Sequence, residues 1–199
     1  MQRHLEDLIP LSRRALASAL SPGRTTSRAL LAVDATAGNG HDTLFLAERV
    51  GEGGRVWAFD VQRAALDAAQ SRIAEAGFSC RVCFVLAGHE SAGDVLPKDA
   101  AGKIRAATFN LGFLPGSDRR IVTGAGTTLA ALNALAALLA QHGILSVHSY
   151  SGHAGGEDEA AKVARWFRAL PWDGWRVAEY SFCNKNRNQE ILFLAEKIS

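Results

Sequence analysis

A doubly wound α/β fold around a mostly parallel sheet is what this sequence predicts, and two features predict it. From residue 29 onward, short apolar runs at 29–33, 56–59, 82–86, 106–109 and 144–147 alternate with alanine- and leucine-rich stretches at 42–50, 63–76, 124–141 and 157–169. Parallel neighbours need a crossover of a dozen or more residues, usually a helix, and these stretches supply it. The last two apolar runs, 176–182 and 191–195, are joined only by the polar loop 183–190, so they pair as an antiparallel hairpin. Seven strands follow, the last two closing the sheet in the opposite sense.

At the other end of the chain, Leu5, Leu8, Ile9, Ser12, Leu16 and Leu20 recur at helical spacing. They predict an amphipathic helix that caps the domain and stops at Ser21-Pro22-Gly23, within residues 1–22. The 199 residues are 48% hydrophobic and 21% charged, which suits one well-buried core and a single domain over 1–199. No apolar run approaches the roughly 20 residues of a membrane span. The opening segment, broken by Arg3, Glu6 and Asp7, lacks the apolar core of a signal peptide, so a cytoplasmic location is expected. Three cysteines cannot pair off, and Cys80 and Cys83 read as core thiols; a zinc site would need two more ligands, so no metal is expected.

A net charge of +2 does not by itself announce nucleic acid, because a nucleic-acid footprint is a clustered basic face. Clusters do occur, at Arg13-Arg14, Arg119-Arg120 and Lys185/Arg187. The first reads as solvated surface charge, whereas the other two fall on loops at the C-terminal edge of the strands, where phosphates would sit.

The most informative segment is Asp34-Ala-Thr-Ala-Gly38-Asn-Gly40-His41-Asp42, between the first strand and the first crossover helix. Glycines there allow a tight turn and close approach to a ligand, and the helix N-terminus behind them offers free amides. The dinucleotide fingerprint asks for a third glycine where this chain has Thr43, and an acidic residue precedes the turn, which favours S-adenosylmethionine over NAD. The second strand ends in Asp60, placed to accept both ribose hydroxyls or, alternatively, to cap the helix that starts near Gln62. Gly88 and His89 end the third strand beside the expected adenine position, His89 being either an edge contact or an ordinary helix-start residue. The fourth ends in Asn110-Leu-Gly-Phe113, where an amide followed by an aromatic suits an exocyclic amine and a stacked base, or else makes a simple turn with a core phenylalanine.

Taken together, these motifs resemble a family: the small class I methyltransferases labelled rRNA methylases, whose characterised members methylate the aminomethyl group of wobble 5-aminomethyl-2-thiouridine in tRNA. The resemblance rests on Asp34-Ala-Thr-Ala-Gly-Asn-Gly-His-Asp-Thr43, Phe59-Asp-Val-Gln62, Asn110-Leu-Gly-Phe-Leu-Pro-Gly116, Thr127-Thr-Leu-Ala-Ala-Leu132 and Tyr150-Ser-Gly-His-Ala-Gly-Gly156, in order and nearly end to end. It implies a Rossmann-like sheet and a cofactor site built from Asp34, Thr36, Gly38, Asn39, Gly40, His41, Asp42, Asp60, Gln62, Gly88, His89 and Asn110. Asn110, Phe113 and His153 are its implied catalytic residues, and Phe113, Arg119, Tyr150, Lys185, Arg187 and Asn188 its implied substrate contacts. The implied partner is RNA, in particular the anticodon region of tRNA, with a homodimer left open. The chain departs from the family at Asn184-Lys-Asn-Arg-Asn188, which is followed by Gln189-Glu190 and not by the usual two prolines.

An alkyl amine is largely protonated at neutral pH and must lose a proton before it is methylated. His153 and Asp118 are the expected receivers, His153 being equally readable as a residue that orders its loop. The competing readings are an rRNA-base or small-molecule N-methyltransferase with the same cofactor site, an NAD-linked oxidoreductase, and an inactive RNA-binding module.

Overall fold

The computed structural model describes residues 7–21, 29–113, 121–152, 155–185 and 189–199. Strands β1 (Leu31–Asp34), β2 (Arg55–Asp60), β3 (Val82–Leu86), β4 (Ile104–Asn110) and β5 (Leu139–Tyr150) lie parallel to their neighbours among them. The last two, β6 (Trp175–Ser181) and β7 (Glu190–Lys197), form the expected antiparallel hairpin, with β7 also antiparallel to β5. The sheet order is β3-β2-β1-β4-β5-β7-β6. The chain changes direction across the sheet between β1 and β4, and a doubly wound sheet opens its ligand crevice at that point, beyond the strand C-termini.

Helices α1 (Leu8–Ala19), α2 (His41–Arg49) and α3 (Arg63–Glu75) cover one face of the sheet, while the short α4 (Ala92–Val95) with α5 (Ala125–Leu138) and α6 (Gly156–Arg168) covers the other. Alternation along the strands makes both faces apolar. In β2, Val56 and Ala58 join Leu16, Leu46 and Ile73 on the first face, and Phe59 joins Leu132, Leu135 and Phe167 on the second. On that second face the Phe167 and Phe193 rings stack with centroids 4.8 Å apart.

Two expectations give way. The helix predicted over 124–141 stops at Leu138, because Leu139 pairs with Ile104 of β4, and pairing overrides the helical propensity of this alanine- and leucine-rich run. The ladder shifts register between Ile104 and Ala106, and opposite it His142 adopts a left-handed φ of 61° next to Gly143, where a Cβ would lie 2.8 Å from the Ile104 carbonyl oxygen. Cys80 and Cys83 are not core thiols: Cys80 is exposed just ahead of β3, and Cys83 is half-buried, since β3 is an edge strand that buries only Val82 fully.

Helices α2 and α3 meet at Gly40, whose φ is +80° and whose missing side chain leaves room for α3: a Cβ there would lie 2.7 Å from the Ala69 Cα. Gly77, just past the end of α3, has almost the same φ of +79° but nothing within 4 Å of an added Cβ. Gly77→Ala is therefore expected to cost the left-handed strain alone, about 1–2 kcal/mol. Gly40→Ala adds overlap with backbone, for a further ~1–3 kcal/mol. Urea unfolding of both variants checks the difference; equal losses would mean that α3 moves away freely.

Candidate cofactor and acceptor site

At the C-terminal end of β1, the buried Asp34 carboxylate accepts the Thr43 hydroxyl at 2.6 Å and the Thr36 amide at 3.2 Å, tying the strand end to the first turn of α2. Between them the chain reverses through Gly38 (φ 50°) and Gly40, and the Ala37 amide donates to the Phe59 carbonyl of β2 at 2.8 Å. At the end of β2, Asp60 accepts the Gly38 amide on Oδ2 and the Gln62 amide on Oδ1, each at 2.9 Å. Asp60 thus holds the glycine turn and the head of α3 at once. A carboxylate oxygen has two lone pairs, so each retains capacity for a ligand hydroxyl.

Asp42, in the first turn of α2, meets two elements far apart in sequence. Arg13 of α1 forms a two-pronged pair with its Oδ1, Nε at 2.7 Å and Nη2 at 2.6 Å. On the other oxygen, the Asn110 side-chain amide donates to Oδ2 at 2.7 Å. Because a carboxylate only accepts, this contact fixes the amide orientation: Nδ2 faces Asp42 and Oδ1 is left as an acceptor. The Asn110 backbone amide donates to Thr36 Oγ1 at 2.7 Å, locking the end of β4 to the glycine turn. Arg13 is accordingly a residue of the site, not the solvated charge expected of it.

Beyond Asn110, the acceptor loop is held by groups the sequence did not single out. The Gly112 amide donates to Thr123 Oγ1 at 2.9 Å, and that hydroxyl donates to Glu159 Oε2 at 2.7 Å. The buried Glu159 of α6 accepts Thr128 on its other oxygen at 2.6 Å. Thr128 in turn lies 3.4 Å from Nε2 of His89, whose Nδ1 is 3.2 Å from the Ala35 carbonyl. Burial lowers the His89 pKa below the usual histidine range, against the pull of Glu90. With the ring neutral, Nδ1–H donates to Ala35.

These residues surround one cavity of about 880 Å³, within the range of small-molecule sites. Its wall includes Thr36, Gly38, Asn39, His41, Asp60 and Gln62 on the turn side, Gly88 and His89 on the third-strand side, and Asn110, Phe113 and Tyr150 on the acceptor side. Phe113 makes a bridge with Val122. Ile9, Arg13, Thr123 and Glu190 also line it and were missed. Their only sequence signal was helical spacing for Ile9 and a basic pair for Arg13. Lys185 pairs with Glu190. His153, Asp118, Arg119, Arg120, Arg187 and Asn188 lie outside the described residues.

The Asp34 pKa is raised to about 7, first by burial and then by repulsion from Asp42. Between about pH 4 and 7 the folded protein holds a proton that the unfolded chain has already released, so this group's contribution to stability is full below pH 4 and is lost as pH rises. One such group contributes a slope of at most about 1.4 kcal/mol per pH unit. Asp34→Asn is expected to lack this component when urea unfolding is followed from pH 4.5 to 7.5. Parallel curves for the two proteins would show that Asp34 does not titrate there.

A family model described as "Putative rRNA methylase" matches residues 56–196. Among curated proteins, the Arabidopsis thaliana chloroplastic tRNA (mnm(5)s(2)U34)-methyltransferase is 34% identical over 173 residues, 83% of this chain and 62% of the plant protein. Among solved structures, a protein from Clostridium thermocellum described as a "putative rRNA-methylase" superposes with a TM-score of 0.89 at 31% identity, covering 98% of this chain and 100% of that one. SMU.1697c from Streptococcus mutans, determined in complex with SAH, gives 0.83 at 30% identity, covering 98% and 99%. With the glycine turn, the strand-end carboxylate and the sheet order in agreement, the chain belongs to the rRNA methylase family and is built on the class I methyltransferase fold.

Proposed function

We propose that this protein methylates the nitrogen of an aminomethyl substituent on RNA, namely wobble 5-aminomethyl-2-thiouridine in the anticodon of tRNA. The observation that carries this reading is the Asn110 amide, fixed by Asp42 so that Oδ1 is left to accept an N–H. The charge of the cavity points the same way. Among its described lining residues Asp42, Asp60, Glu90 and Glu190 are acidic, and Arg13, already paired with Asp42, is the one Lys or Arg. Such a wall favours cationic ligands, both a sulfonium and a protonated amine. The plant relative's name, a wobble-uridine tRNA methyltransferase, supports the choice of acceptor.

The residues present fit the cofactor. Asp60 retains lone pairs for two ribose hydroxyls, the α2 N-terminus offers backbone amides, and Phe59, Val61 and Leu111 give apolar wall for a base. When bound, S-adenosylmethionine supplies an electrophilic methyl group. The chain's own contribution is to position the acceptor: Asn110 Oδ1 accepts an N–H of the acceptor nitrogen, and Phe113 and Tyr150 provide aromatic surface for the base. Arg119, Arg120 and Arg187 complete the proposal as contacts to the RNA backbone, and the reaction belongs with cytoplasmic tRNA.

Incubation of the purified protein and cofactor with tRNA carrying 5-aminomethyl-2-thiouridine, followed by nucleoside mass spectrometry, tests the reading. The expected product is heavier by one methyl group at the wobble nucleoside; an unchanged nucleoside overturns the acceptor. Asp60→Ala is expected to weaken cofactor binding by one to two orders of magnitude in calorimetry, for lost charge-assisted bonds of about 1.5–3 kcal/mol. Asn110→Ala is expected to leave cofactor affinity within a few-fold while lowering turnover strongly. Equal loss of both quantities would make Asn110 a cofactor or structural residue.

A further inference from the structure

Two strand pairings place an unused set of groups on the acceptor side. The parallel β4–β5 ladder sets His148 opposite Asn110, and the antiparallel β5–β7 ladder sets Glu190 opposite Tyr150. Tyr150 and Glu190 line the cavity, and behind them lies His148, 3% exposed. The Tyr150 hydroxyl is 3.0 Å from His148 Nδ1, and the two rings tilt together with centroids 4.2 Å apart. On the far side of the imidazole, Nε2 is 3.5 Å from Glu190 Oε2, an ion-pair distance outside hydrogen-bond geometry, and it makes no hydrogen bond among the described residues.

We propose that Tyr150, His148 and Glu190 form the relay that removes the proton from the acceptor amine, with Tyr150 as the catalytic residue and His148 and Glu190 as positioning residues that hold the proton. This rests on the amine-acceptor reading above. The step balances as follows. An N–H bond of the substrate ammonium breaks, its electron pair stays on nitrogen, and the proton passes to the Tyr150 oxygen. The hydroxyl's own proton moves to His148 Nδ1. Nitrogen is left with a free lone pair, and the imidazolium is held by the Glu190 carboxylate until it loses its proton to solvent after the product leaves. A charge on His148 would draw Nε2 and Oε2 together, and catalytic hydrogen bonds are commonly long before the substrate is bound.

The surroundings suit a group that is neutral at rest. Burial lowers the His148 pKa most, and Lys185 lowers it further; Glu190 and Asp42 raise it. Burial, Glu190 and Asp42 together push Tyr150 up to about 12, so it passes a proton on without resting as phenolate. The charged and titratable groups facing His148 are therefore Tyr150 on its own strand, Glu190 and Lys185 from β7 and the loop before it, and Asp42 of α2 with its partner Arg13.

The test is the pH dependence of kcat on tRNA carrying 5-aminomethyl-2-thiouridine at saturating cofactor, for wild type, Tyr150→Phe and Glu190→Gln. Both substitutions preserve side-chain shape, and cofactor affinity within a few-fold of wild type verifies the fold. Each variant is expected to lose at least about tenfold in kcat at pH 7 and to close the gap to wild type steadily towards pH 10, where roughly a quarter of an alkyl amine of reference pKa about 10.4 has lost its proton to solvent unaided. A Tyr150→Phe profile that superposes on wild type, or a loss of the same factor at every pH, overturns the relay while leaving the acceptor reading intact. A wild type that binds cofactor yet never methylates this tRNA overturns the acceptor reading and the relay with it.

Discussion

The Asp42 carboxylate is where three separate parts of the chain are brought to one point. Arg13 arrives from a helix on the outer layer, Asn110 from the end of a central strand, and Asp42 itself from the first turn of the helix behind the glycine loop. An acidic side chain is favourable at a helix N-terminus, so α2 already supports it there. Its two oxygens are divided, one to a guanidinium and one to an amide, and that division decides which atom of Asn110 remains for a ligand. The outer helix thus takes part in the site, through Arg13 on the Asp42 carboxylate and Ile9 in the cavity wall. Its seat on the sheet is set by the buried Ser12–Ser146 hydroxyl contact of 2.7 Å, next in sequence to Arg13.

A second carboxylate, Glu159, performs the matching task on the opposite face. Through Thr123 it reaches the Gly112 amide of the acceptor loop, and through Thr128 it comes near His89 at the other end of the cavity. A buried carboxylate is costly unless its lone pairs are met, and short hydroxyl bonds meet both oxygens here. The two halves of the cavity therefore share one rigid support, so displacement of one half is resisted by the other.

What could be read in the sequence was what local chemistry dictates. The alternating runs, the glycine turn, the strand-end position of Asp60 and the terminal hairpin all follow from spacing within a few dozen residues; most predicted elements match the observed ones to within a few positions, whereas β5 starts five residues before the predicted run and α4 was not foreseen. Arg13, Glu159, His148 and Glu190 were not legible, because their meaning comes from partners that only the sheet order brings near. Arg13 is 29 positions from Asp42, and Asp42 is 68 from Asn110. Glu159 sits among Glu157 and Asp158 in a first turn that looks uniformly solvated, and only its helical phase turns it inward. The end of α5 misled for the opposite reason: its residues suit either structure, and the neighbouring strand decides.

The reversed direction of β7 has an evolutionary consequence. Every parallel strand presents its finishing end to the cavity, whereas β7 presents its beginning, so Glu190, its first residue, stands in the cavity wall. Downstream, Phe193 is wedged against Phe167, which anchors the strand's register independently of what precedes it. Insertions, deletions or exchanges in the sequence between β6 and β7 can therefore accumulate without repositioning the interior. Lineages of this fold have there a place to drift toward new acceptors while the cofactor half stays locked by its glycine turn and the Asp34 and Asp60 hydrogen bonds.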